Sequence, residues 1–432
     1  YLLAAPTSVR RRIAHVSLAG LTMLVSAGWW VLVVAVWPAG SRPYIGGSTN
    51  NSVLDLVFGY NGLARLFGGA GNGGTGGGGQ NSGFGGATGL ARLFTGEMGN
   101  EISWLLPAAL VTLGAGLVVR GRAPRTDRAR AALLLWGGWL LVTGLVFSYM
   151  QGTMHPYYTV VLAPPIAALV AVGGALLWRE RATIGARVGL AALAVAAGGW
   201  SYLVLNRTPS WHPELRYLLL AVTLFAAVGV LFATRAGVRR AVVAAGLVTA
   251  LLGTGSFAMA TAASPHTGSI PSVGPAAAQA SGMGSGAGGR PSGSAQPPSA
   301  GTAGAAPSGL RTNTSATSGS AGASTNAALI KALKATTGTW AAAVVGDQTA
   351  AELELATGKA VISIGGWSGT DNSPTLAQFK AYVAAGKVRY YLASGQGGMS
   401  GSSGAASQIA TWVTQHFTAK TIGGVTVYDL SG

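Results

Sequence analysis

His155, Pro156, Tyr157 and Tyr158 are the densest group of chemistry-bearing side chains in a chain of 432 residues that is 49% hydrophobic and 9% charged. An imidazole can donate to a phosphate or sugar oxygen, and adjacent tyrosines can stack on a sugar or bind its hydroxyls. The alternative is an aromatic belt with Pro156 opening a helix, because tyrosine is enriched at membrane interfaces and proline at the first helical position. A second group joins Arg42, Pro43 and Tyr44 to Asn50, Asn51 and Asp55. Its arginine can clamp a lipid-linked phosphate with two parallel hydrogen bonds, or it is simply paired with head groups and solvent. Arg65 and Arg92 read as interfacial anchors.

Other motifs offer less. Asp55, Glu97, Glu101 and Glu214 are the carboxylates of the outer loops in the apolar half, and nothing in their spacing fixes two at one spot, so none is assigned to catalysis. Residues 69–74 fit the G-x-G-x-x-G pattern, but with no strand before them and no helix after them the dinucleotide mechanism has no scaffold. Residues 364–371 and 394–399 have better surroundings: each follows a candidate strand and precedes a helix, where backbone amides bind anions or sugars. Trp367 could stack on a sugar there; the alternative is a pair of plain glycine-rich turns. With no cysteine, the chain has no disulfide framework, thiol nucleophile or cysteine-ligated metal, and no metal ligand set is assigned.

The elements that must position these groups are long and apolar. Stretches at about 13–37, 102–119, 131–149, 157–178, 185–205, 215–234 and 241–262 are long enough to cross a bilayer as helices. Arginines crowd into alternate connections: Arg10, Arg11 and Arg12; Arg120, Arg122, Arg125, Arg128 and Arg130; Arg179, Arg181 and Arg187; Arg235, Arg239 and Arg240. Basic loops stay in the cytoplasm, so this alternation predicts a multi-pass membrane protein with the His155 tip and the chain after residue 263 outside the cell. The net charge of +17 then reports topology and contact with anionic lipid, not nucleic-acid binding, which needs a basic face on a soluble domain.

Three regions follow. Residues 1–263 form the membrane part, with a long extracytoplasmic loop at 39–100. That loop holds an internal echo, Gly62-Leu-Ala-Arg-Leu-Phe67 and Gly89-Leu-Ala-Arg-Leu-Phe94, each suited to a short interfacial helix, around a glycine-rich stretch at 68–86 that can form no packed core. Residues 264–325 are Gly, Ser, Ala and Pro and read as a disordered tether whose ends average about 40–45 Å apart. Residues 326–432 carry all the lysines and alternate strands near 340–346, 360–365, 388–393 and 424–430 with helices near 348–357, 376–385 and 405–417. This order predicts a small α/β domain with a mainly parallel sheet. The chain opens Tyr1-Leu2-Leu3 with neither methionine nor a signal-peptide n-region, and reads as the later part of a longer protein.

Residues 43–52, 58–67, 102–107 and 152–158, with their Pro-Tyr-Ile-Gly-Gly, Gly-Tyr-Asn-Gly and Met-His-Pro-Tyr-Tyr strings, resemble the later half of actinobacterial membrane glycosyltransferases. These are similar to protein O-mannosyltransferases and the aminoarabinose transferases of lipid A, and the tail resembles the soluble domain that such proteins carry. The resemblance implies a GT-C fold and a sugar donor carried on polyprenyl phosphate, with no other cofactor. It implies inverting transfer outside the membrane to a glycan, lipid or protein acceptor. It also implies substrate contact at Gln151, His155, Tyr157 and Tyr158, with the loop around Arg42, Tyr60 and Asn61 over the same cavity. That family's catalytic acid lies in its first outer loop, which has no counterpart here, so no catalytic residue is carried over. Two other classes compete. A transporter would show repeated halves and ionisable residues in its spans, whereas a sensor or scaffold would bind a cell-wall sugar through the tethered domain without turnover.

Overall fold

The computed structural model describes residues 1–48, 50–68, 85–264, 272–275, 326–367, 369, 371–393 and 404–431. The 69–74 pattern, the 394–399 turn and most of the 264–325 tether lie outside them. The chain divides into two compact units, residues 1–32 with 61–289 and residues 33–60 with 290–432.

In the first unit and at its junction with the second, among the described residues, seven helical stretches are long and apolar enough to cross a membrane: Val9–Val36, Gly96–Arg120, Arg128–Tyr149, Pro156–Arg179, Ile184–Leu205, Pro213–Phe232 and Ala236–Ala263. Each contains nearly all of its sequence-predicted span and starts earlier, because hydropathy marks the bilayer-crossing stretch while the helix continues into polar end turns. We label the regular helices α1 (Val9–Val36), α2 (Ala64–Phe67), α3 (Gly96–Ile102), α4 (Leu106–Arg120), α5 (Arg128–Tyr149), α6 (Ala163–Arg179), α7 (Ile184–Leu205), α8 (Pro213–Phe232) and α9 (Ala236–Ala263). The second span is therefore broken: a 3₁₀ turn at Ser103–Leu105 separates α3 from α4, and Pro107, which has no N–H, stands at the start of α4.

At the arginine-rich end, Asp127 caps α5 by accepting from the Arg130 N–H at 2.8 Å, and Thr183 caps α7 through the Ala186 N–H at 3.3 Å. Inside the bundle, helices approach through small residues, as membrane helices must when lipid and side chains are equally apolar. A Cβ on Gly198 of α7 would fall 1.9 Å from the Thr223 hydroxyl of α8. Two buried hydroxyls are satisfied on their own helix, Thr223 donating to the Leu219 carbonyl at 2.6 Å and Thr112 to Ala109 at 3.0 Å.

The second unit holds the α/β domain. Helix α10 (Ala327–Lys334) leads into β1 (Trp340–Val345), α11 (Asp347–Thr357), β2 (Val361–Ile364), α12 (Leu376–Ala384), β3 (Val388–Leu392), α13 (Ala405–His416), β4 (Ala419–Ile422) and β5 (Val425–Asp429). The strand order is β2-β1-β3-β5-β4. The first three strands are parallel, and β5 and β4 extend them as an antiparallel hairpin. β1, between β2 and β3, is buried on both faces, with Ala342 and Val344 against Leu329, Leu333 and Leu353 on one side and Ala343 against Phe379, Ile409 and Val413 on the other. Sequence reading omits β4 and α10. The Ala419–Ile422 strand is an exposed edge with no apolar alternation, and the eight-residue α10 is short, though its Asn326 cap, accepting from the Leu329 N–H at 3.0 Å, is a regular start signal.

Candidate functional site

The tip between α5 and α6 is held by both copies of the repeated Gly-Leu-Ala-Arg-Leu-Phe motif. The first copy forms α2, whose Arg65 guanidinium donates to the Thr153 carbonyl at 2.7 Å. The tip answers with its own backbone: the Gln151 N–H donates to Leu66 and the Gly152 N–H to Arg65, each at 3.0 Å. This approach excludes a side chain at residue 152, where a Cβ would lie 2.5 Å from the Ala64 carbonyl oxygen. The second copy forms a 3₁₀ turn at Leu90–Phe94. Its Arg92 donates to the Phe147 carbonyl at 3.0 Å, to Met150 at 2.7 Å and to Gly86 at 2.8 Å. Arg92 is thus a buried clamp on the end of α5, and burial lowers its pKa.

Between these clamps the aromatic group assembles. The His155 ring stacks on Tyr157 with centroids 5.3 Å apart and meets Tyr158 edge-on at 5.3 Å, and the two tyrosines meet edge-on at 4.9 Å. The Arg65 guanidinium lies 5.9 Å from the Tyr158 ring centre, within the range of a cation–π contact. Burial, and then the Arg65 charge, lower the pKa of His155, so it is neutral at neutral pH, with one ring nitrogen donating and the other accepting. A histidine and two tyrosines that sequence reading marked are therefore brought together with Arg65, which it took only as an interfacial anchor.

The acidic residues also take on order. Glu97 and Glu101 stand one turn apart on α3, an arrangement that the sequence analysis did not assign. Glu101 accepts from the buried Thr159 hydroxyl at 3.1 Å, and that hydroxyl is also 2.7 Å from the Pro156 carbonyl. Glu97 accepts from the Val273 N–H at 2.9 Å. The 153–159 segment thus carries the positive charge of Arg65 at one end and the carboxylate of Glu101 at the other. The pairing spans 58 residues of sequence, and only the fold reveals it. Behind α3, Arg207 ties the α7–α8 connection to the Asn100 amide oxygen at 2.7 Å and to the Phe94 carbonyl at 2.5 Å, and burial lowers its pKa.

Asn61 is exposed on the helical segment Asp55–Leu63, while Arg42 and Tyr60 belong to the second unit. Arg42 donates to the Val34 and Asn51 carbonyls, each at 2.5 Å, and to Trp37 at 3.0 Å, so it closes the end of α1 onto the following loop. Tyr60 packs beside Gly47. On the α/β domain, Trp367 is 51% exposed in the β2–α12 turn.

Residues 329–416 match the protein family described as "Putative mannosyltransferase YkcB-like, C-terminal". The chain is 28% identical to "Putative mannosyltransferase YkcB" of Bacillus subtilis (strain 168), over 96% of this chain and 65% of that relative. It is 27% identical to "Putative mannosyltransferase YycA" of the same organism, over 40% of this chain and 36% of that relative. It spans less than two-thirds of the length of either. No solved structure matches it. By these matches the chain is similar to proteins named "Putative mannosyltransferase".

Proposed function

We propose that this protein is a membrane glycosyltransferase that moves a sugar, mannose by the names of its relatives, from a polyprenyl-phosphate donor to an acceptor outside the cytoplasm. The reading rests on one observation: a cation, a neutral histidine, two tyrosines and a carboxylate converge on residues 151–159, at the arginine-poor end of an apolar bundle. A lipid-linked sugar is held there by its own tail, with its phosphate and sugar at the interface.

In this reading Arg65 faces the donor phosphate, and Tyr157, Tyr158 and Gln151 take the sugar. Neutral His155 donates to the phosphate oxygen that departs, and Glu101 accepts from a sugar hydroxyl while holding Thr159. The acceptor oxygen attacks the anomeric carbon and the bond from that carbon to the phosphate oxygen breaks. Polyprenyl phosphate leaves with the electron pair, the acceptor's proton passes to a base, and the configuration inverts. The reaction uses no cofactor beyond the lipid-linked donor.

The test is consumption of polyprenyl-phosphate mannose by the full-length protein in lipid nanodiscs, with GDP-mannose in parallel. Consumption of the lipid-linked donor alone is expected, falling at least about tenfold in His155→Ala, Arg65→Ala and Glu101→Gln. Use of the nucleotide sugar instead, or undiminished turnover in all three variants, would refute the assignment.

A further inference from the structure

We infer that the C-terminal α/β domain is a binding module for the protein's own chain: the Asp371 carboxylate, in the turn between β2 and α12, captures the Gly46–Gly47 turn that follows α1. The Gly47 N–H lies 3.2 Å from both oxygens of Asp371. A bond from an amide to an ionised carboxylate is among the stronger hydrogen bonds in proteins.

Both sides are shaped for this contact. On the loop side, the turn is fixed before it meets the domain: the Ser48 N–H returns to the Ile45 carbonyl at 3.2 Å, the Ile45 N–H is held by the Asn51 side chain at 2.9 Å, and the Tyr44 hydroxyl donates to the Ser48 carbonyl at 2.8 Å. Gly47 has φ +79°, a conformation that side chains disfavour, and a Cβ on Gly46 would lie 3.2 Å from an Asp371 oxygen. On the domain side, Asp371 is set by its own N–H donating to Gly365 at 3.0 Å, and the Gly365 N–H reaches Ser373 at 2.9 Å. The Asp347 N–H, at the start of α11, donates to Gly366 at 3.1 Å. The turns after β1 and β2 are therefore joined at the carboxyl edge of the parallel strands, where open α/β sheets bind their ligands. Burial raises the pKa of Asp371, the Gly47 bond draws it down, and Asp347 pushes it up.

The contact has a topological consequence. Six of the seven spans lie between Gly47 and the domain, an even number, so both partners are on the same side of the membrane. About sixty residues separate Ala263 from Asn326, and a connection of that length does not by itself dictate where the domain sits. The Asp371 contact instead ties the domain to the loop after α1, within the same unit.

The chain has no cysteine, so an introduced pair reports without background. In the full-length protein in native membranes, Gly46→Cys with Asp371→Cys is expected to form a disulfide, read after cleavage at a protease site inserted within 276–325 as two fragments that part only on reduction. Gly46→Cys with Lys420→Cys, on the far edge strand, is the control. Equal cross-linking of the two pairs, or none at 46 and 371, overturns the inference. Hydrogen exchange gives a second readout that needs no cysteine: the 42–52 peptide is expected to exchange about tenfold faster in Asp371→Ala, with the strands of the domain still protected. Unchanged exchange, or exchange accelerated by added mannose oligosaccharide in the unaltered protein, would assign the edge to something other than this turn. Neither readout depends on glycosyl transfer, so failure of the proposed function leaves this test intact.

Discussion

His155 is 8% exposed and sits between two tyrosines beside the Arg65 charge. Its environment disfavours the imidazolium, so its pKa in the folded protein lies below that of the unfolded chain. As pH falls below about 6.5 the unfolded chain takes up a proton that the folded protein resists. Stability from this residue is thus present above that value and lost on acidification. Thermal unfolding in detergent between about pH 5 and pH 8 should show the native protein weakening toward acid, with a shallower slope in His155→Gln; parallel slopes would place the histidine in ordinary solvent. At the same scale, the two repeated arginines divide their work. Arg92 spends its donors on the carbonyls of Gly86, Phe147 and Met150, which marks it as structural. Arg65 grips Thr153 and also lends its charge to His155 and Tyr158.

Among the elements, α2 and the α5–α6 tip behave as one part. Two backbone hydrogen bonds and the side chain of Arg65 join them, and the close approach at Gly152 leaves no room for even a methyl group. Gly152→Ala should therefore cost about 1–3 kcal/mol through overpacking, measured as a lower unfolding temperature. Transfer should fall further than the stability loss accounts for, because the tip carrying His155 is displaced; a variant with full activity and unaltered melting would separate the two elements. The broken second span serves the same region. The turn at Ser103–Leu105 and the proline start of α4 set α3 apart as the short helix that carries Glu97 and Glu101.

At the scale of the whole molecule, the ends of the bundle differ in chemistry. One gathers arginines that bind backbone and acid, as where Arg120 meets Glu180 at 3.4 Å and Arg187 meets the Leu231 carbonyl at 3.2 Å. The other carries the candidate site. The rule that basic loops remain cytoplasmic predicts that a lone cysteine at Gln151 is labelled by a membrane-impermeant thiol reagent from outside intact cells. A lone cysteine at Arg122 should be labelled only after permeabilisation. The reverse pattern would put the candidate site on the cytoplasmic side and remove the basis for a lipid-linked donor outside.

The spans and the βα alternation of the C-terminal domain were legible in the order of residues alone, because bilayer thickness and strand pleating impose short-range periods on hydropathy. So was the gathering of His155, Tyr157 and Tyr158, which are neighbours in sequence. The tertiary structure decided the rest. That Glu101 answers Thr159, that Arg65 and Arg92 converge on one tip, and that Asp371 receives Gly47 are pairings across 58, 88, 58 and 324 residues. Such contacts depend on how rigid elements pack, and no local pattern encodes them. The same reason hides the contacts of Arg42 from sequence reading: its partners are the backbone carbonyls of Val34, Trp37 and Asn51, which carry no signature of residue type.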